Sequence, residues 1–135
     1  MIVTDTNLIA YFVIRDAHSE LADAVFEADS VWVAPLLWRS EFCSALAKHV
    51  QHAGMSLDAA LVALHSAEEI IGGREYRVSS EKILELAAQS RCSAYDCEYV
   101  ALALDLGVPL VTADKQVLKA FPKTAVSLEK FVKRK

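Results

Sequence analysis

Short apolar runs of strand character alternate along this chain with longer stretches of helical period. The strand-like segments are 2–4, 31–34, 75–78, 110–112 and 125–128. Helical patterns fill the intervals between them. One runs over 36–53 and stops at Gly54; Ser56 then caps a second, which runs to about residue 71 and stops at Gly72-Gly73. With so little between them, these two form an αα-hairpin inserted in the β–α alternation. Ser80 is positioned to cap a helix over 81–90, and Ser93 to cap one that ends at Gly107, with Pro109 close behind. Alternation of this kind predicts an α/β fold: a central, mostly parallel five-stranded sheet with helices on both faces. No linker, repeat or low-complexity segment interrupts it, so residues 1–135 are expected to form a single domain.

Composition narrows the class. Hydrophobic residues make up 54% of the chain, above the soluble average, which suggests apolar surface left for a partner or a second copy. No apolar run approaches the roughly 18 residues of a membrane span, and no basic segment precedes the opening apolar stretch. A cytoplasmic location without membrane association is therefore expected. Cys43, Cys92 and Cys97 form no C-x-x-C pair, and three is the wrong number for a disulfide framework. The net charge of −4 does not advertise nucleic-acid binding, yet half of the 14 basic residues lie from Lys115 onward. That tail is either a phosphate-binding patch or a solvated terminus.

The candidate chemistry lies in four acids. Asp5 closes the first strand-like run and Asp114 follows the fourth; both thus stand at strand carboxyl ends, where open parallel sheets bind their ligands. If those strands are neighbours about 4.8 Å apart, the two carboxylates can share one cation. Glu41 and Asp96 stand near the starts of two strongly apolar helices. At ~100° per residue, Asp96 shares a stripe with Val100, Ala103 and Gly107, and so faces the buried side. Glu41 lies roughly 60–80° from the centre of the face made by Trp38, Phe42, Ala45 and Leu46. Structural roles are open to each of them. Asp5 and Asp114 can cap helices, Ser93-x-x-Asp96 is a capping box, and Glu41 can form a salt bridge or reach for water. Four carboxylates delivered to one point make a site for a hard divalent cation and for phosphoryl-transfer chemistry.

Other features carry less. His49-x-x-His52 has a helical metal spacing without the further ligands of a zinc site, and a structural or surface role is expected of it. No glycine-rich phosphate loop is present, and neither Ser44 nor Ser66 sits in a nucleophile elbow. Tyr95, Tyr99, Trp32 and Trp38 sit at core-like spacing and are expected to pack rather than to stack on bases.

The pieces 3–7 (Val-Thr-Asp-Thr-Asn), 39–42 (Arg-Ser-Glu-Phe), 93–103 around Asp96, and 110–115 (Leu-Val-Thr-Ala-Asp-Lys) together resemble the PIN-domain nucleases. In particular they resemble the VapC-type toxins of bacterial and archaeal toxin–antitoxin pairs. The pieces come in the family's order and span nearly the whole chain. The resemblance implies that Asp5, Glu41, Asp96 and Asp114 meet at the carboxyl edge of the sheet, that Mg²⁺ or Mn²⁺ is required, and that RNA is cut. It also implies that Asn7 and Thr112 support the acids by hydrogen bonding. Many relatives carry a further acid soon after the last aspartate, where this chain has Lys115, Gln116 and Val117. A second metal is then expected to bind weakly or to arrive with the RNA phosphate.

The resulting expectation is a Mg²⁺-dependent endoribonuclease, the toxin of a type II pair, working as a homodimer and restrained by a cognate antitoxin. Asp5 and Asp96 are expected to hold the cation, Glu41 or Asp114 to orient the attacking water, and Lys115 to contact the RNA. Two rivals stand beside it. One is a non-catalytic α/β interaction module whose acids are only caps. The other is an aspartyl-phosphate phosphotransferase with Asp5 as nucleophile, although Asn7 replaces the second acid of the usual Asp-x-Asp.

Overall fold

A computed structural model describes residues 1–134; Lys135, the last of the basic tail, lies outside the described residues. In chain order the elements are β1 (Ile2–Thr4), α1 (Thr6–Val13), α2 (Ser19–Ala28), β2 (Trp32–Pro35), α3 (Trp38–His52), α4 (Leu57–Ile71) and β3 (Glu75–Tyr76). These are followed by α5 (Ser80–Gln89), α6 (Ala94–Leu106), β4 (Leu110–Val111), α7 (Lys115–Ala120), β5 (Ala125–Val126) and α8 (Leu128–Arg134). All five strands pair in parallel, in the order β3-β2-β1-β4-β5. From β1 the chain winds first towards β3 and then, after α6, returns to β4 on the other side. The crevice between β1 and β4 is therefore the topological switch point, where such sheets hold their ligands.

Strand alternation divides the interior into two cores. Ile2, Trp32, Ala34, Val111 and Val126 face one side, with Trp38, Phe42, Leu46 and Ile71 of the hairpin and Phe131 of α8. Val3, Val33, Leu110 and Ala125 face the other, under Ile83, Leu86, Val100 and Val117. Burial on both faces explains why the strands read as unbroken apolar runs. The αα-hairpin is α3 and α4. Arg39 fastens it to the sheet edge, pairing with Glu68 of α4 and Glu75 of β3, each at 2.6 Å. Gly72 ends α4 with a φ of 56°, and Gly107 ends α6 with 66°, left-handed conformations that glycine adopts without strain.

Several boundaries differ from expectation. Ser79, not Ser80, caps α5: its hydroxyl accepts from the Lys82 N–H and Ser80 is already helical. Strand β3 ends at Tyr76, short of residue 78. Strand β5 ends at Val126, and Leu128 opens α8 instead of closing the strand. Ser127 accepts from the Lys130 N–H, so a cap falls inside what the apolar pattern presents as a strand. All three cysteines are free.

Candidate active site

Parallel pairing sets Thr4 of β1 beside Val111 of β4, so the residues that follow, Asp5 and Thr112, leave the sheet side by side. Asp5 caps α1, its Oδ1 accepting from the Leu8 N–H at 2.8 Å. Its Oδ2 accepts from the Thr112 hydroxyl at 2.5 Å. That hydroxyl in turn accepts from the Asp114 N–H at 3.0 Å. Asp114 caps α7 through the Val117 N–H. Thr112 thus ties together the two acids on either side of the switch point.

Glu41 and Asp96 arrive from helix starts on the flanks. Glu41 lies in the first turn of α3, directly after β2. Its Oε1 accepts from the Tyr99 hydroxyl at 2.6 Å and from the Thr6 hydroxyl at 3.1 Å. Asp96 lies in the first turn of α6, its N–H donating to the Ser93 hydroxyl at 3.1 Å. All four acids therefore sit at the cap or first turn of a helix, where the positive dipole end offsets part of their mutual repulsion. The capping roles of Asp5 and Asp114 are real and do not exhaust them, because all four side chains line a single cleft of about 410 Å³.

Burial and like charge both act on these acids. Burial pushes the Asp5 carboxyl up to about 6, against the pull of its Thr112, Leu8 and Ala113 hydrogen bonds, and Asp114 adds repulsion. Asp96 is raised too, first by burial and then by Asp114 and Glu41. Burial and the neighbouring Glu41 push the Tyr99 hydroxyl far up, which keeps it protonated as a donor to that carboxylate.

The expected convergence is looser than a finished coordination shell. Among the described residues no three His, Cys, Asp or Glu side chains close on one point. Asp5 is held back by Thr112 and Leu8, Glu41 by Tyr99 and Thr6, and Asp114 by its cap. The donor set nonetheless suits a hard divalent cation: carboxylate oxygens facing one cleft, two of the acids raised by burial and repulsion that a cation would relieve.

The other expected residues divide. Thr112 bonds Asp5 as described. Asn7 lines the cleft, without a side-chain hydrogen bond to the acids among the described residues. Lys115 is exposed at the start of α7 and is not among the residues lining the cleft. Lys48 and His49 of α3 do line it, so His49 is a cleft residue and not merely a surface one. Tyr95 is 62% exposed, contrary to the packing role expected of it, because it stands on the solvent side of the first turn of α6, opposite the buried Cys97 and one turn before the buried Tyr99. Tyr99 is buried as expected but also holds Glu41. Neither Tyr99 nor Thr6 was legible as a site residue. Only the i, i+3 relation of Tyr99 to Asp96 on α6 hints at it.

Residues 2–124 match the model of the PIN domain. The chain belongs to the PIN-domain family. PIN domains are generally metal-dependent nucleases that act on RNA or DNA and use divalent ions such as Mg²⁺. Among solved structures, the crystal structure of PAE2754 from Pyrobaculum aerophilum superposes with a TM-score of 0.77 over 98% of this chain and 86% of that one. At 20% identity that likeness shows the fold alone. No curated protein matches the chain. Among the described residues no helix is long and apolar enough to cross a membrane.

Proposed function

We propose that this PIN domain is a Mg²⁺- or Mn²⁺-dependent endoribonuclease acting in the cytoplasm, the toxin of a type II toxin–antitoxin pair, with residues 1–135 working as one domain. The observation that carries the nuclease reading is the placing of Asp5, Glu41, Asp96 and Asp114 around one cleft at the β1/β4 switch point. The ordered motif pieces support the VapC-type assignment. Asp5 and Asp96 hold the cation, with Glu41 and Asp114 completing the cluster. When bound, such a cation polarises a phosphodiester and makes water more acidic.

The chain's own residues do the rest. Thr112 holds Asp5 against the β4 end, so the carboxylate keeps its orientation while the strand enters. Tyr99 and Thr6 grip Glu41 by one oxygen and leave Oε2 to orient a water for in-line attack. Attack by water, and not by a ribose hydroxyl, leaves 5′-phosphate and 3′-hydroxyl ends. The phosphotransferase reading is disfavoured, because Asn7 stands where the usual Asp-x-Asp has its second acid.

Control is expected at two places. An antitoxin presents arginine or lysine to the acids, where a bidentate guanidinium–carboxylate contact takes the place of the cation. Its amphipathic segment lies in the apolar groove of the αα-hairpin, of about 280 Å³, bordered by Leu46, Val50, Leu57, Leu61 and Leu64. Without antitoxin, two copies pair through the same surface, with Leu57 65% and Leu61 42% exposed.

The deciding experiment incubates the purified chain with single-stranded RNA plus Mg²⁺ or Mn²⁺, beside the Asp5→Asn variant and a calorimetric Mn²⁺ titration. Cleavage lost with the metal and with Asp5 is the expected result. Absence of Mn²⁺ binding favours the interaction module instead.

A further inference from the structure

Helix α3 presents three different faces. Trp38, Phe42 and Leu46 are buried in the core. Cys43, Ala47 and Val50 border the apolar groove, whereas Glu41, Ser44, Ala45, Lys48 and His49 border the acid cleft. Along this last face the charge changes sign. Lys48 stands seven residues after Glu41, about 10 Å further along the helix axis. Lys48 and His49 are the basic side chains among the cleft's lining residues, and neither forms an ion pair among the described residues. A lysine late in a helix suits the dipole on any face. The dipole does not account for its facing the cleft.

A nucleic-acid strand brings one negative charge per nucleotide. The acids, with their cation, can accommodate only the phosphate to be cut. They repel its neighbours, and those neighbours need compensation from the protein. We propose that Lys48, with His49 beside it, binds a phosphate of the RNA a few nucleotides from the scissile bond. The substrate then runs along α3 from Glu41 towards His49. This inference rests on the ribonuclease reading above. A flexible ammonium serves here as a point charge and carries no base preference.

The test compares cleavage of a fluorescein-labelled single-stranded RNA of random sequence by wild type, Lys48→Ala, Lys48→Arg and Lys82→Ala over a series of NaCl concentrations. Lys82 is a fair control, because its Nζ lies 3.9 Å from Asp105, at the end of α6 remote from Asp96. Lys48→Ala is expected to raise KM about tenfold with kcat within about twofold, as loss of one charged contact predicts. The slope of log KM against log salt should fall by about 0.7, one phosphate's share for a single strand. Lys48→Arg should restore both, and Lys82→Ala should change neither. Lys48 is exposed, so its truncation leaves the fold intact; matching thermal melts check this. An unchanged KM and slope in Lys48→Ala, while wild type cuts the RNA, overturns this inference alone. So does an equal loss in Lys82→Ala. A wild type that cuts no RNA overturns the inference together with the proposed function.

Discussion

The acid cleft and the apolar groove lie on two faces of one helix, α3, and differ in how their exposed groups are satisfied. In the cleft, hydroxyls and helix starts answer the acids: Thr112 for Asp5, Tyr99 and Thr6 for Glu41, and Ser93 at the start of α6 for Asp96. Even so, burial and mutual repulsion leave Asp5 and Asp96 poorer acids than usual. The groove has no such network. Its lining is almost wholly carbon, from Leu46 on α3 to Leu64 on α4, and what it lacks is cover. One region holds electrostatic strain that a cation relieves, the other apolar surface that a chain segment relieves. Substitutions should therefore separate them cleanly, with function lost in the cleft at no cost in stability, and association lost at the groove at no cost in function.

Asp5→Asn should have the largest effect. Asparagine keeps the shape and caps a helix about as well as aspartate, but cannot supply the charge that a divalent ion requires. RNA cleavage is expected to fall by about a thousandfold, some 4 kcal/mol of barrier. A gel assay with calorimetric Mn²⁺ titration reads both losses, and cleavage equal to wild type would remove Asp5 from the machinery.

The same carboxyl makes the metal-free protein sensitive to pH. Its folded value of about 6 lies above the ordinary 3.8. The folded state therefore binds the proton more tightly than the unfolded chain does. The stabilisation is full below about pH 4 and is lost as pH rises through about 6. Over that interval the loss reaches up to about 3 kcal/mol, and Asp96 is raised in the same direction. Urea unfolding in chelator at pH 5 and pH 7.5 should show the upper half of that fall, about 1.4 kcal/mol, in wild type and a smaller one in Asp5→Asn. Excess Mn²⁺ should restore stability at the higher pH, because it binds the ionised form. An identical pH profile in the two proteins would mean that Asp5 carries no such penalty.

These two regions were unequally legible in the sequence. Asp5 and Asp114 stand out because a strand's end and a helix's cap coincide there, and parallel pairing of β1 with β4 makes them neighbours. Glu41 was legible because an acid at the margin of an apolar helix face wants a partner. Its partners were not. Tyr99 has the burial and spacing of a packing residue, and only its hydroxyl, aimed across from α6 to α3, makes it part of the site. Lys48 carried no sequence signal and His49 none towards the acids, since nothing local says that the late turns of α3 border the cleft. The αα-hairpin was legible from Gly54 and Ser56. Strand β5 was over-extended because Val126 and Leu128 continue one apolar run, although the cap at Ser127 turns the backbone between them.

Thr4 tests what unanswered polarity costs. It precedes Asp5 on β1, and its hydroxyl is fully buried without a hydrogen-bond partner among the described residues. Valine has nearly the same shape, favours strands and leaves no donor unpaired. Thr4→Val is expected to stabilise the protein by about 1 kcal/mol in urea unfolding, with cleavage within about twofold of wild type. Destabilisation would show that the hydroxyl is satisfied after all.

The smallest effect on stability is expected at the groove. Leu57 and Leu61 lie one turn apart on α4, both exposed, and neither belongs to the buried core, so Leu57→Ser and Leu61→Ser remove little buried area. Each should shift the unfolding free energy by no more than about 0.5 kcal/mol. RNA cleavage per chain should be unchanged, because neither side chain lines the cleft. What should change is association. Apolar area withdrawn from water is the main source of affinity in an interface of this kind, and a hydroxyl placed there must give up its water on burial. Light scattering should show the double variant as a monomer at concentrations where wild type pairs, and it should capture less antitoxin on co-purification. If the variant pairs as well as wild type while the melts coincide, the groove is not the two-fold surface. If cleavage falls with association, cleft and groove are coupled through α3, and their independence is lost.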